Sequence, residues 1–204
     1  DVYTSIHEIR FEQRHLLNDF ADQKNYLKRM CKGDYVFNLD ADELPRESLL
    51  KMLKPILKIN PHVDLYLVPR INTVSGITLK HVEKWGWSIG KLEGQTEVKS
   101  LKNISNDEYE LLKHFNLIVE ERHFENGNVG FDGIRFYTPL INWPNDFQGR
   151  IHKNRPNIMW EKPVHEIMTG YHDYSYLPAE KEFCIEHHKD CLLYTSDAAD
   201  EEDS

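Results

Sequence analysis

The sequence has few cysteines and no long apolar segment, and each shortage excludes a class of protein. The three cysteines, Cys31, Cys184 and Cys191, are widely spaced and odd in number. They indicate neither a disulfide framework nor a zinc site, and they are typical of a reducing compartment such as the cytoplasm. No apolar run approaches the roughly 18 residues that a membrane helix needs. We therefore expect no membrane span.

Positive charge is also scarce. The chain has 25 Lys and Arg residues against 34 Asp and Glu residues, which gives a formal net charge of −9. A cationic surface is needed to bind nucleic acid, so the charge argues against a nucleic-acid partner. Residues 191–204 hold five acidic residues and no basic ones, so the rest of the chain carries only −4. This segment resembles a translated sequencing adapter, and we expect an artefactual or disordered tail there.

The apolar content is sufficient for a core, since 40% of the 204 residues are hydrophobic and 11% are aromatic. Hydrophobic periodicity and capping residues predict helices over 20–32, 45–59 and 107–119, and strands over 35–39 and 63–68. Helices that alternate with strands predict an α/β fold with a mostly parallel sheet. The glycine-rich segment 126–133 predicts a turn.

The segment 33–43 is the strongest functional signal. A short apolar run ends in Asp40-Ala41-Asp42-Glu43, which places three carboxylates where a buried strand stops. Open α/β sheets bind their ligands at that edge. One carboxylate there can meet a ribose hydroxyl and the next can ligate Mg²⁺ or Mn²⁺ bridging two phosphates. The alternative is a solvated acidic loop before a helix, with Glu43 favouring the N-terminus of that helix.

Three further segments carry candidate residues. Lys24 could reach a phosphate, and Asn25 could bond a base or a backbone turn. Val164-His165-Glu166 could supply a metal ligand and a general base. Ile185-Glu186-His187-His188-Lys189 could complete a metal site over a diphosphate. The alternatives are an exposed helix face, a core histidine beside a surface glutamate, and a His-rich surface segment.

Together these segments resemble glycosyltransferase family 2, which has the GT-A fold, from about Asn18 to Lys189. The motifs that carry the resemblance are Asn18-Asp19-Phe20-Ala21-Asp22-Gln23-Lys24-Asn25, Gly33-Asp34-Tyr35, Asp40-Ala41-Asp42-Glu43, Val68-Pro69-Arg70-Ile71-Asn72, Lys84-Trp85-Gly86-Trp87, Ile141-Asn142-Trp143-Pro144, Val164-His165-Glu166 and His187-x-Lys189. The resemblance implies a mostly parallel twisted sheet flanked by helices. The first βα unit of the family would precede Asp1 and is missing from this sequence. We therefore expect residues 1–190 to form a partial GT-A domain, with a nucleotide and metal half over 1–72 and an acceptor and lid half over 73–190.

The resemblance also implies an activity: inverting transfer of a sugar from a nucleotide-diphosphate donor to a hydroxyl of a glycan, lipid-linked or protein acceptor. It implies Mn²⁺ or Mg²⁺ as cofactor. It implies that Glu166 is the catalytic base, and that the metal is held by Asp42, His187 and His165, unless His165 instead orients the base. It implies that the nucleotide is bound by Asp40, Ala41, Lys24 and Asn25. The implied contacts with sugar or acceptor are Trp85, Trp87, Trp143 and Arg150. The activity is expected of the full-length parent, since the missing unit normally holds the nucleotide base.

Two other functions fit parts of the sequence. A metal-dependent phosphohydrolase would use Asp40, Asp42 and the histidines, but it needs two metals about 3.5–4 Å apart or a metal-bound water. Only one compact carboxylate cluster is visible in the sequence. A non-catalytic carbohydrate-binding module would instead use the tryptophans without metal.

Overall fold

A computed structural model describes residues 10–126 and 129–190 of the chain. The tail expected over 191–204 lies outside these residues. The described residues form two compact units. The first unit contains residues 10–69 and 147–185, and the second contains residues 70–126, 129–146 and 186–190.

Helices and strands are short in both units. The helices are α1 (Phe20–Met30), α2 (Glu47–Ile59), α3 (Leu79–Trp85) and α4 (Asn106–His114), with 3-10 turns at Leu101–Asn103 and Lys181–Phe183. The strands are β1 (Tyr35–Phe37), β2 (Glu43–Pro45), β3 (Leu65–Ser75), β4 (Ile89–Gly90), β5 (Thr96–Ser100), β6 (Ile118–Asn126), β7 (Val129–Tyr137), β8 (Leu140–Ile141), β9 (Phe147–Lys153), β10 (Met159–Glu161), β11 (Ile167–Thr169), β12 (Tyr174–Tyr176) and β13 (Ile185–Asp190).

In the first unit, β9 lies between β1 and the first half of β3 and is antiparallel to both. β12 extends the other side of β3 in parallel, and β10 and β11 form a separate antiparallel ribbon. α2 covers the core with the buried Leu49. The core residues are Leu49, Val63, Tyr66, Val68, Ile151, Leu177 and Ile185.

The fold class predicted from the sequence is wrong. Among the residues that the structure describes, strand residues outnumber helical residues, and the sheets are mixed or antiparallel. The physical reason is visible in the first unit. β1 and β3 run in the same direction, as the alternation with α2 suggested, but they do not bond each other. β9, which comes late in the chain, lies between them and is antiparallel to each. Both neighbouring pairs are therefore antiparallel.

The second unit holds a three-stranded antiparallel sheet in the order β5-β7-β6. β8 pairs with β3 at Asn72 and with β4 at Ile89 and Gly90. α4 begins after Ser105, whose hydroxyl accepts a hydrogen bond from the Glu108 backbone at 3.1 Å. It ends at His114, earlier than predicted. The core residues are Ile77, Val82, Leu111, Leu112, Leu117, Ile134, Phe136 and Ile141.

The predicted turn over 126–133 is partly wrong, because Gly130 and Gly133 lie within β7. A Cβ at Gly130 would lie 2.0 Å from the His123 ring, and one at Gly133 would lie 2.6 Å from the Lys99 carbonyl oxygen. These glycines allow close approach of neighbouring strands rather than a change of chain direction.

In the part of the chain that the structure describes, no helix combines the length and apolar character required to cross a bilayer.

Candidate functional site

Five ionisable residues from distant parts of the sequence meet in the first unit, and we call them the Asp40 cluster. Lys24 comes from α1, Asp40 follows β1, Glu43 begins β2, Arg150 lies on β9 and Glu166 precedes β11. All five were candidate residues in the sequence.

Local structure explains how α1 presents Lys24. The Asp19 carboxylate caps the helix by accepting a hydrogen bond from the Asp22 backbone at 2.8 Å. One turn beyond Lys24, the buried Lys28 donates to the carbonyl oxygens of Arg155, at 2.6 Å, and Ile158. Burial lowers the pKa of Lys28. Because residues four apart share a helix face, this anchor turns Lys24 toward the same side of the unit.

Arg150 is the buried centre of the cluster, with only 4% of its side chain exposed. Its Nη2 atom lies 2.5 Å from an oxygen of Asp40 and 2.5 Å from an oxygen of Glu43, whose side chain is fully buried. Glu43 also accepts a hydrogen bond from the Asp40 backbone at 3.2 Å. A guanidinium compensates two carboxylates here, as buried charges require.

Lys24 links Asp40 to the second carboxylate of the site. Its Nζ atom lies 3.3 Å from Asp40 and contacts Glu166. It also lies 4.7 Å from the ring centroid of Trp160, a cation–π contact. The side chains of Lys24 and Glu166 are largely shielded from solvent, whereas 37% of the Asp40 side chain is exposed. Asp40 is therefore a solvent-facing part of the cluster.

Electrostatics favour an ionised Asp40. Burial alone would raise the pKa of Asp40, but the positive charges and hydrogen bonds of Arg150 and Lys24 outweigh it and hold the pKa below its usual value. With every member ionised, three carboxylates and two cations leave the cluster with a formal charge of −1.

The predicted metal ligands are divided between the two units. Asp42 and His165 are exposed in the first unit, and His165 has a left-handed backbone with φ 54°. His187 is buried in the second unit, where its Nδ1 atom lies 2.7 Å from the Asn72 amide oxygen. Within the described ranges, no three His, Cys, Asp or Glu side chains lie close enough together to hold a metal ion. A site for Mn²⁺ or Mg²⁺ stays a prediction.

Two of the predicted nucleotide-binding residues, Asn25 and Ala41, are not members of the Asp40 cluster. The Asn25 side chain is hydrogen-bonded to the backbone of Trp160. Its amide nitrogen donates to the Trp160 carbonyl at 2.8 Å, and its amide oxygen accepts from the Trp160 N–H at 2.9 Å. Ala41 is exposed in the turn after Asp40. Their proposed contacts with a nucleotide stay predictions.

The three tryptophans predicted to contact sugar lie in the second unit. Trp85 and Trp87 pack together with ring centroids 4.6 Å apart, and Trp143 lies in the turn before β9. Trp87 also lines a polar pocket of about 440 Å³. Of the other polar lining residues, His187 was predicted as a metal ligand, and Arg70, Asn72 and Asn142 fall in motifs of the resemblance without a predicted role.

A second buried ion cluster in the first unit was also missed. Asp64, 3% exposed, lies 2.9 Å from Lys153 and 3.2 Å from Arg155 and accepts the His172 backbone N–H at 3.0 Å. The signal available was a charged residue at the start of an apolar strand, which does not reveal its partners. This cluster joins elements of the core and has no predicted chemistry.

Comparison with protein-family models and with curated proteins finds no match to this chain.

Proposed function

We propose that the protein is an inverting glycosyltransferase that moves a sugar from a nucleotide-diphosphate donor to an acceptor hydroxyl. The observation that carries the proposal is the Asp40 cluster, in which a shielded Glu166 meets the cation Lys24 beside an ionised Asp40. The resemblance in the sequence supplies the reaction class. The fold does not indicate it.

The cluster offers the two kinds of group that sugar transfer needs. A carboxylate must take the proton of the acceptor hydroxyl as its oxygen attacks the anomeric carbon. Glu166 has that role in the proposal. Positive charge must stabilise the diphosphate that departs with the electron pair of the broken C–O bond. Lys24 and Arg150, which each contact Asp40, are the cations of this cluster. Its formal charge rises from −1 to zero when Glu166 takes the acceptor proton.

Asp40 has a separate role in the proposal. Arg150 and Lys24 fix its carboxylate from two sides while part of the side chain stays exposed. A fixed, ionised carboxylate is a good acceptor for ribose hydroxyl groups, because it needs no reorganisation when the ligand binds. We assign Asp40 to the nucleotide of the donor.

Metal dependence, the kind of acceptor and the compartment remain parts of the proposal. Mn²⁺ or Mg²⁺ is proposed from the resemblance alone, and no step of the proposed reaction uses it. The acceptor is a glycan or a lipid-linked or protein acceptor. The cytoplasm is proposed from the low cysteine content.

The test is nucleotide-diphosphate release by the purified full-length parent of this chain from a panel of uridine- and guanosine-diphosphate sugars, with Mn²⁺, with Mg²⁺ and with chelator. We expect release from at least one donor. Glu166→Gln, which keeps the shape and removes the base, should lower turnover by about 10²–10⁴-fold. Donor KM should change little, because Glu166 acts on the acceptor.

Glu47→Gln is the matched control, since Glu47 is an exposed glutamate on α2 of the same unit. It should keep full turnover. No release from any donor, or equal rates for the two glutamine variants, contradicts the proposal. Loss of release in chelator and in Asp42→Ala would support the metal role, and release unaffected by both would refute it.

A further inference from the structure

The pocket of about 440 Å³ in the second unit, which we call the Asn72 pocket, has the size of a small-ligand site. Strand β3, the segment after α3, the turn after β8 and strand β13 contribute to it. Its lining includes Arg70, Asn72, Trp87, Asn142, Asp146 and His187. None of these six residues belongs to the Asp40 cluster.

A line of hydrogen bonds orders the polar side of this pocket. Asp146 accepts from Arg70 at 2.8 Å and, through the same oxygen, from the Asn72 amide nitrogen at 2.5 Å. The Asn72 amide oxygen therefore faces His187 and accepts from its Nδ1–H at 2.7 Å. Each planar group fixes the next, so the polar side is organised before any ligand binds.

The charge of this polar side is balanced. Arg70 and Asp146 form an ion pair whose side chains are 20% and 15% exposed. Apart from this pair and the His187 imidazole, the polar side chains of the lining are amides and a hydroxyl, which carry no charge. The pocket thus presents many donors and acceptors without a net charge from this pair, which suits a neutral polyhydroxylated ligand better than a phosphate or a carboxylate.

An aromatic side chain lines the same pocket. Trp87 is half-buried, packs on the core of the second unit and contacts Trp85 at 4.6 Å. A pyranose ring has an apolar face of C–H groups and a rim of hydroxyls. An aromatic ring beside planar polar groups matches both surfaces of such a ring.

The turn after β8 is fastened to the segment that carries Trp87. Asn142, in the left-handed region with φ 56°, accepts from the Ser88 backbone at 3.1 Å and donates its own N–H to the Ser88 carbonyl at 2.8 Å. Gly90 packs so closely that a Cβ would lie 2.6 Å from the Trp143 carbonyl oxygen. These two lining segments of the pocket are therefore held together within the second unit itself.

We propose that the Asn72 pocket binds one neutral sugar ring, with Trp87 against its C–H face and the Asn72, Asp146 and His187 line toward its hydroxyls. That this sugar belongs to the acceptor rests on the proposed function. The binding itself does not, since every residue involved lies in the second unit.

The test is titration of the purified chain with methyl glycosides of glucose, galactose, mannose and N-acetylglucosamine, followed by calorimetry and by amide NMR. Glucuronate is the anionic comparison. We expect at least one neutral glycoside to bind with a Kd of about 1 mM or lower, so that binding saturates by about 10 mM glycoside. Trp87→Leu removes the aromatic ring of the pocket, and Asp146→Asn removes the charged acceptor of Arg70 and Asn72. Each should weaken binding by about tenfold or more.

Asn145→Ala supplies a variant that does not threaten folding, since Asn145 is an exposed lining residue. It should weaken binding, whereas Asn103→Ala and Asp107→Asn, at exposed positions of the same unit outside the pocket, should not. The proposal is overturned if no neutral glycoside binds, if glucuronate binds more tightly, or if the pocket variants bind like the controls.

The outcome is distinguishable from a failure of the proposed function. Sugar binding lost in Trp87→Leu, together with no nucleotide-diphosphate release from any donor, supports the pocket and contradicts sugar transfer. Sugar transfer with an unchanged acceptor KM in Trp87→Leu and Asn145→Ala contradicts the pocket as the acceptor site.

Discussion

The Asp40 cluster of the first unit and the Asn72 pocket of the second unit differ in charge and in the kind of group that fixes them. The cluster joins five ionisable side chains, and Arg150 at its centre is 4% exposed. The pocket joins one ion pair to amides, an imidazole and an indole. Full charges in a shielded place suit bond making and breaking. Neutral planar groups around an open volume suit recognition. The difference predicts unequal responses to substitution and to acid.

The largest expected effect comes from removing the central cation of the cluster. Arg150→Met leaves Glu43, whose side chain is fully buried, without its guanidinium. A buried charge that loses its partner costs about 3–5 kcal/mol, so the free energy of unfolding should fall by that amount. Urea unfolding measures it. Arg29→Met is the control, because the Arg29 side chain is 62% exposed. Equal midpoints for both variants would show that the cluster is not a stabilising centre.

A smaller effect is expected where the pocket turn packs on Gly90. Gly90→Ala places a Cβ 2.6 Å from the Trp143 carbonyl oxygen, so the turn must shift. Overpacking of this kind costs about 1–3 kcal/mol. Thermal unfolding measures it, and glycoside titration should show weaker binding. Gly149→Ala is the control, since its Cβ would meet Leu65 at an ordinary 3.4 Å. A Gly90→Ala protein that binds sugar normally would contradict a fixed turn.

The smallest effect is an acid sensitivity of the first unit. Burial would raise the pKa of Asp64, but hydrogen bonds from the His172 backbone and Lys153 outweigh it and lower the pKa from 3.8 to about 2. The folded state therefore gains stability from this group above about pH 4 and loses it as the pH falls toward about 2. The full loss is about 2.5 kcal/mol, because lowering the pKa from 3.8 to about 2 corresponds to about 1.4 kcal/mol for each pKa unit, and only part of it is reached by about pH 2.5.

Urea unfolding between pH 6 and about pH 2.5 measures the slope of the free energy of unfolding against pH. In Asp64→Asn the slope should decrease, while Asp34→Asn, at an exposed position, should retain it. An unchanged slope in Asp64→Asn would assign the acid sensitivity to other groups. Buried His152, whose pKa is lowered by burial, would act at higher pH.

Local signals in the sequence predicted several elements well. The predicted starts of α1 and α4 lie within one residue of the observed ones, where Asp19 and Ser105 are the caps, and β1 and α2 lie close to their predicted positions. Capping and periodicity depend on residues within one turn of one another, so a sequence contains them directly. Pro45, predicted to open α2, instead ends β2, and the helix begins at Glu47.

Strand partners could not be predicted in this way. Tyr35 of β1 pairs with Lys153 of β9, and no local pattern specifies that pairing. The same limit applies to the sites. Lys24, Asp40, Arg150 and Glu166 were recognised by residue type and motif order, and the structure brings them together. Asp146 belongs to none of the motifs recognised in the sequence. Its role in the pocket depends on Arg70 and Asn72, which are far away along the chain.

The contact between Asn25 and Trp160 has a consequence for association between molecules. β10 bonds β11 on one side, and a two-stranded ribbon has a second edge that another chain can pair with. At Trp160, the Asn25 side chain occupies that edge and satisfies both the N–H and the carbonyl, as a peptide group of a third strand would. A single amide on a helix thus imitates a strand neighbour and closes the ribbon to a foreign strand at this residue.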